Sequence, residues 1–282
     1  MDQALDRGPQ RLIVIRRTPF SLLAAPMAWL IVAYLGALAA IFATAFWSTD
    51  DFTNQVVHTF STDNFRALFT GTYLRIIGRT MAIAALVTVI CAVIAVPFAF
   101  FMARIAPRRL RPVLVAAVLV PLWASYLVKA YAWRAMLQDK GIVDSILHWT
   151  PGYGFVAIVL TLTYLWLPYM ILPIYAAFER LPEAHLEASA DLGGRTGHTL
   201  RRIVLPALGP AIAAGSVFTF SLSLGDYIAV QIVGGKLQMI GTAVLQNIQL
   251  DLPFAAALGT ASVLIMVVYL TLVSRVGGLD NL

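Results

Sequence analysis

The chain has 282 residues, of which 60% are hydrophobic and only 12% are charged, and its mean hydropathy is +0.82. A soluble domain carries roughly 25% charged residues, so this composition excludes an ordinary soluble protein and indicates one that lies in a membrane. The net charge of +6 does not indicate nucleic-acid binding, because the basic residues form short clusters between apolar runs instead of one basic face.

Six apolar segments are long enough to cross a bilayer as helices, which takes about 20 residues each. They lie at about 20–47, 76–101, 112–137, 155–178, 207–233 and 254–273. The first is longer than the apolar region of a signal peptide, about 7–15 residues, so we expect it to remain as a span. The sequence thus predicts an all-α integral membrane protein, with a six-span domain at 20–276 between an arm at 1–19 and a tail at 277–282.

The distribution of basic residues predicts the orientation of the chain in the membrane. Most arginines lie in the arm, in the loop after the second span and in the loop after the fourth span. Basic residues close to the spans favour the cytoplasmic side, so we expect both termini to be cytoplasmic. In the long loop at 48–75 on the opposite side, Ser61 to Asn64 favour helix capping, which predicts a short helix at the surface.

The loop at 179–206, between the fourth and fifth spans, is predicted to form two short cytoplasmic helices joined by a glycine turn. Pro182 suits the first turn of a helix, and Gly193 suits its end. The first helix carries an acidic residue at every fourth position: Glu183, Glu187 and Asp191. Like charges at this spacing repel, so the acidic face is either simply solvated or inserts into a basic groove of a partner protein.

The same loop contains a longer pattern of Glu-Ala-Ser, three residues, Gly, nine residues and Ile-x-Leu-Pro. Its members are Glu187, Ala188, Ser189, Gly193, Ile203, Leu205 and Pro206. The pattern resembles the signature of the permease subunits of ATP-binding cassette importers, which has a second alanine where this chain has serine. The resemblance implies that the loop holds a coupling helix that docks into a groove of an ATPase subunit, with Glu187 in contact and Gly193 at the turn.

The resemblance covers roughly residues 70–275 and is closest to the permease subunits of spermidine/putrescine importers. Residues 121–133, 224–227, 234–235 and 239–241 carry it, whereas residues 228–231 lack a proline that many relatives have there. It implies these partners: a second homologous permease, two ATP-binding cassette ATPases and a periplasmic substrate-binding protein. It also implies a bacterial inner-membrane location and uptake of polyamines, with iron, thiamine, phosphonates or amino-acid-like compounds as alternatives.

The chain is not expected to be an enzyme or to bind a cofactor or metal. Its glycine-rich residues 193–199 lack the lysine of a phosphate-binding loop, so ATP is expected to bind to a partner. Its four histidines are too scattered to suggest a metal site. A stand-alone secondary transporter and a membrane-embedded enzyme are the alternative classes, and co-purification of an ATPase separates an importer subunit from them.

Two charged residues within the predicted spans, Asp226 and Lys129, are candidates for the transport pathway. Charged groups are costly inside a membrane and are usually functional or paired. Both are expected near the outer face, where either they pair, or Asp226 attracts a substrate ammonium, or Lys129 reaches the interface. Aromatic residues crowd the same depth and form either an interfacial belt or a surface for an organic cation, for which Trp123, Tyr126 and Tyr227 are the candidates.

Overall fold

The computed structural model describes residues 19–50, 53, 55–182, 184, 189, 191 and 196–277. In chain order its helices are α1 (Pro19–Thr44), α2 (Asp63–Leu68), α3 (Gly71–Phe100), α4 (Arg111–Trp123), α5 (Tyr126–Leu137), α6 (Ile142–Leu147), α7 (Phe155–Arg180), α8 (Thr196–Thr199), α9 (Leu205–Gly225), α10 (Ile228–Val233), α11 (Ile240–Asn247) and α12 (Leu252–Gly277). A π-helical turn at Phe101–Ile105 extends α3, and another at Leu200–Val204 joins α8 to α9. Two short antiparallel strands, β1 (Ser48–Thr49) and β2 (Val56–Val57), form a hairpin between α1 and α2.

Five helices within the described residues are long and apolar enough to cross a membrane. They are Pro26–Thr44, Gly71–Ile105, Phe155–Arg180, Gly197–Gly225 and Leu252–Arg275. The pair α4 and α5 supplies a sixth crossing if the two helices form one broken span. The prediction of an all-α membrane protein is therefore confirmed.

Two of the predicted spans, at 112–137 and 207–233, are broken instead of continuous. In the first, α4 and α5 meet at a bend of 94°, because Ala124 and Ser125 adopt extended backbone. In the second, α9 ends at Gly225 and α10 begins at Ile228. Non-helical backbone at membrane depth is tolerated where it is buried in protein or lines a cavity, so both breaks are candidate positions for a site.

The core of the bundle is built around α7, which packs against α3 and α9. Its side chains at Ile158, Leu162 and Ile174 are fully buried. α9 approaches α7 closely at Gly215, where a Cβ atom would lie 2.7 Å from the sulfur of Met170. Small residues allow membrane helices to pack at such short distances, and here they fix the position of α9 against the core.

The first helix lies at the edge of the bundle, where α1 packs against α12. Most of its large apolar side chains are exposed, including Trp29 and Tyr34. Hydrocarbon is the solvent that such a surface fits. The end of α1 is fixed by α2, the short surface helix predicted after Ser61, because the Asn64 amide donates to the carbonyls of Ala45 and Trp47.

Candidate functional site

The two helix breaks lie against each other, and one hydrogen bond joins them. Tyr126, the first residue of α5, donates its phenolic hydrogen to Oδ2 of Asp226, which follows the last residue of α9. The other carboxylate oxygen, Oδ1, accepts the backbone N–H of Ala229 in α10 at 2.9 Å. The Asp226 side chain is buried, with 7% of the residue exposed. A buried carboxylate requires hydrogen-bond donors, and these two bonds supply one to each of its oxygens.

A cleft of about 290 Å³ opens beside this carboxylate. Its walls are formed by Tyr126, Trp166, Ser221, Leu222, Gly225, Asp226, Tyr227 and Ile228. The ring centroids of Tyr126 and Trp166 lie 6.0 Å apart. Asp226 is the one carboxylate on these walls, and in the described ranges no group of three or more His, Cys, Asp or Glu residues could hold a metal ion. A single acid among aromatic rings suits an organic cation.

Lys129 does not form an ion pair with Asp226 in the structure. Its ammonium donates instead to the carbonyl oxygen of Pro121 at 3.0 Å. The bend of 94° is the reason, because it turns α5 so that Lys129 folds back over the end of α4. The carbonyls in the last turn of a helix have no partner within the helix, and Lys129 satisfies one of them. Of the alternatives that the sequence leaves open, a direct ion pair between Lys129 and Asp226 is therefore not formed in this structure.

The three aromatic residues selected from the sequence have different positions. Tyr126 and Tyr227 line the cleft, whereas Trp123 ends α4, is 86% exposed and is not part of the cleft wall. Trp166 of α7 takes a place on the wall that the sequence analysis did not assign to it. Its indole nitrogen is buried and has no hydrogen-bond partner among the described residues. Its role depends on the packing of α5 against α7, which no local pattern reveals.

A close backbone contact holds the break at Asp226 in place. A Cβ atom on Gly241, in α11, would lie 2.9 Å from the carbonyl oxygen of Gly225 and 3.2 Å from the carbonyl of Asp226. A backbone cannot yield as a flexible side chain can, so only glycine fits at position 241 without a shift. Gly241 therefore lets α11 lie directly against the backbone at Gly225 and Asp226.

The segment that leads to Gly241 is in turn tied to α3. The guanidinium of Arg79 donates to the carbonyl of Gln238, and the hydroxyl of Thr80 accepts the backbone N–H of Ile240 at 3.0 Å. Thr80 passes its own hydrogen to the carbonyl of Ile76 at 2.7 Å. These bonds satisfy polar groups that have no water available inside a membrane, and they brace the wall of the cleft.

Only part of the predicted coupling segment lies within the described residues, since Glu183, Glu187, Ala188 and Gly193 fall outside them. Ser189 is buried, and its hydroxyl lies 2.7 Å from the hydroxyl of Thr199. Asp191 is exposed. The contact between Ser189 and Thr199 joins the two sides of the predicted glycine turn, so serine in place of alanine adds a hydrogen bond there.

The remaining signature residues lie where the chain enters α9. Ile203 belongs to the π-helical turn, and Leu205 and Pro206 are the first two residues of α9, where proline is well tolerated. On the other side of the segment, the guanidinium of Arg104 donates to the carbonyls of Phe178 and Leu181 at the end of α7. Both ends of the segment are thus anchored to helices of the core.

The membrane bundle, the cleft at the paired helix breaks and the signature loop together define a solute-transport subunit. The chain belongs to the family described as binding-protein-dependent transport system inner membrane component, whose sequence profile matches residues 95–278. It is therefore the permease subunit of an ATP-binding cassette importer, a membrane component that is not itself an enzyme.

Named relatives match almost the whole chain. It is 39% identical over 287 residues to the inner membrane ABC transporter permease protein YdcU of Escherichia coli, covering 93% of this chain and 91% of that protein. It is 30% identical over 269 residues to the spermidine/putrescine transport system permease protein PotB of Escherichia coli, covering 90% and 95%. Among solved structures, a bacterial ABC transporter that imports the acidic polysaccharide alginate has the same fold, with a TM-score of 0.67 at 17% identity over 91% of this chain and 93% of that chain.

Proposed function

We propose that this chain is one of two homologous permease subunits in an ATP-driven importer of polyamines of the spermidine/putrescine class. The observation that carries the proposal is the carboxylate of Asp226, which is buried beside the rings of Tyr126 and Trp166 where two broken helices meet. The 30% identity to a spermidine/putrescine permease supports the same substrate class. Iron, thiamine, phosphonates and amino-acid-like compounds are the alternatives that uptake competition separates.

A substrate ammonium competes with Tyr126 for the carboxylate of Asp226. In the described state the phenolic hydroxyl occupies Oδ2, so the tyrosine closes the cleft at its acidic end. An ammonium donates charge-assisted hydrogen bonds, which are about twice as strong as neutral ones, and it replaces the hydroxyl. The exchange removes the hydrogen bond from α5 to the break between α9 and α10, which favours separation of the two sides of the cleft. The hydrogen bond from Arg134 of α5 to the carbonyl of Ile232 in α10, at 3.4 Å, then remains as a link between them.

One continuous helix connects this cleft to the coupling segment. The helix Gly197–Gly225 has 29 residues and spans about 42 Å at 1.5 Å per residue. It begins beside the contact between Ser189 and Thr199 and ends at Asp226. Closure of the ATPases on ATP would push the loop at 179–206, and this helix would carry the displacement to the substrate cleft as a rigid body.

The assembly that this mechanism requires has four further parts. They are a second homologous permease, two ATPase subunits that bind the ATP and a periplasmic protein that delivers the substrate. We propose that the exposed apolar face of α1 contacts lipid. The proposed assembly includes no cofactor or metal in this chain and no nucleic acid. The proposed location is the bacterial inner membrane, with both termini in the cytoplasm.

Substitution of Asp226 tests the proposal directly. Asp226→Asn keeps the oxygen that accepts from Ala229 but replaces the charged Oδ2 with an amide NH2 group, which can neither accept from Tyr126 nor attract an ammonium. We therefore expect a fall of at least about tenfold in ATP-dependent uptake of labelled spermidine and putrescine. The measurement uses proteoliposomes that contain the complete importer with its own binding protein. The matched control is Asp139→Asn, at an exposed position between α5 and α6, which should retain wild-type uptake.

Competition in the same proteoliposomes identifies the substrate class. Unlabelled polyamines should inhibit the uptake, and iron, thiamine, phosphonates and amino acids should not. Wild-type uptake by Asp226→Asn, or transport of one of those other solutes in place of polyamines, would refute the proposal.

A further inference from the structure

Four aromatic rings form a row that begins at the carboxylate of Asp226 and continues toward the middle of the membrane helices. The centroids of Tyr126 and Trp166 lie 6.0 Å apart, those of Trp166 and Tyr169 6.0 Å, and those of Tyr169 and Phe218 6.1 Å. The first ring donates the hydrogen bond to Asp226. Tyr126 is the one ring of this row that the sequence predicts to be a pathway residue.

The helices place these rings at successive depths. Trp166 and Tyr169 are three residues apart on α7 and therefore share one face. Phe218 lies seven residues before the end of α9, so its Cα is roughly 10 Å along the helix from Gly225. Ser221 and Leu222, which line the cleft, share the face of α9 that carries Phe218. The row thus extends the cleft away from Asp226.

The spacing of the rings matches the range of the interaction between a cation and an aromatic face. An ammonium is attracted to a ring when it lies within about 6 Å of the centroid. Because neighbouring centroids are 6.0 to 6.1 Å apart, an ammonium that lies midway between two neighbouring rings is within range of both. Phe218 is 55% exposed, so its face is accessible to such a group.

We propose that Tyr169 and Phe218 form a second ammonium site, and that the cleft binds a linear aliphatic polyamine with one ammonium at Asp226 and another at this pair. The inference rests on the proposed function and extends it to substrate length. The methylene groups between the two ammonium groups contact the apolar wall at Leu222. A monoamine occupies only the Asp226 end, so the second site favours longer polyamines over shorter amines.

Fluorination of the ring at position 218 tests this site without changing its shape. Phenylalanine with one, two and three fluorine atoms draws progressively more charge from the ring face and weakens its attraction for a cation, with little change in volume. We expect the KM for spermidine uptake to rise stepwise, to about fivefold with three fluorines. The inhibition constant of a short monoamine against spermidine uptake should stay unchanged.

Two further variants separate this role from a purely structural one. Phe218→Leu should raise the KM for spermidine about as much as the trifluorinated ring, whereas Phe218→Tyr should keep the wild-type KM. Co-purification with the ATPase subunits confirms that each variant assembles. The same fluorinated residues at Phe69, an exposed position at the end of α2, are the matched control and should have no effect. A flat KM across the series in an importer that transports spermidine would overturn the second site alone. Absence of polyamine uptake by the wild-type importer would overturn the proposed function as well.

Discussion

The carboxylate of Asp226 has two structural partners that belong to different helices. Its Oδ1 fixes the start of α10 through Ala229, and its Oδ2 accepts from Tyr126 at the start of α5. Only the second bond crosses from one helix break to the other. A ligand that takes the place of the Tyr126 hydroxyl therefore loosens the contact between the two breaks and leaves α10 intact. In the proposed mechanism, Oδ2 of Asp226 therefore takes part in both substrate binding and gating.

We expect the position of this carboxylate to depend on Gly241. Gly241→Ala puts a methyl group against the backbone at Gly225 and Asp226, where the distances of 2.9 and 3.2 Å leave no room for it. Overpacking of this kind costs about 1–3 kcal/mol, and here the backbone of the break must move to relieve it. We expect the KM for polyamine uptake to rise by about tenfold, with a smaller change in kcat, in proteoliposome uptake assays.

The control for that substitution is Gly209→Ala on α9, where an added Cβ atom meets nothing within 4 Å. It should leave both the KM and the thermal unfolding temperature unchanged. If Gly241→Ala transports polyamines with the wild-type KM, the residue does not position Asp226.

A functional residue can be predicted from the sequence when a single energetic cost, such as a charge placed in a membrane, identifies it. Asp226 stands out because an acid within an apolar run is expensive, and that cost does not depend on its neighbours. Its partner is set by tertiary structure, and the sequence could not separate Tyr126 from Lys129, which lies three positions later and turns away with α5. The bond between Thr80 and Ile240 joins residues 160 positions apart, so no local pattern contains it.

At the scale of helices, the breaks matter more than the spans. Hydropathy predicts where apolar helices lie, because the need for about 20 apolar residues is local. It does not predict a break such as the one at Ala124 and Ser125. The positions of the prolines do not predict the break either. Pro121 precedes it by three residues, whereas Pro168 and Pro173 lie within the continuous helix α7. Packing against neighbouring helices decides whether a proline bends or interrupts a helix.

The bent pair α4 and α5 should cross the membrane as one broken span. Cysteine introduced at Asp139, after α5, is expected to react with a membrane-impermeant maleimide on intact cells in which the reagent reaches only the outer face. Cysteine introduced at Arg108, an exposed position before α4, should react only after the inner membrane is opened, because this arginine-rich loop is predicted to be cytoplasmic. The single native cysteine, Cys91, is buried and provides the unlabelled background.

Labelling of both positions from the same side would contradict this arrangement. It would mean that α4 and α5 form a re-entrant loop and that the chain crosses the membrane five times.

At the scale of the whole molecule, the central feature is the connection between the signature loop and the cleft at Asp226. The signature loop and the cleft are connected by the helix Gly197–Gly225, and α7 and α3 hold that helix along its length. Gly215 lets α9 lie against Met170 without a gap, so a push at one end is not absorbed by slack in between. In the proposed mechanism, this helix carries the displacement from the signature loop to Asp226.

Charge reversal at Glu187 in the complete importer is the most direct measurement of this route. Glu187→Lys should abolish ATP-dependent polyamine uptake and reduce co-purification of the ATPase subunits, because the acidic face would meet a basic groove with the wrong charge. Asp139→Lys, an exposed acid outside the signature loop, is the control and should keep both activities. Wild-type uptake and assembly in Glu187→Lys would contradict the claim that this loop transmits the energy of ATP to the cleft.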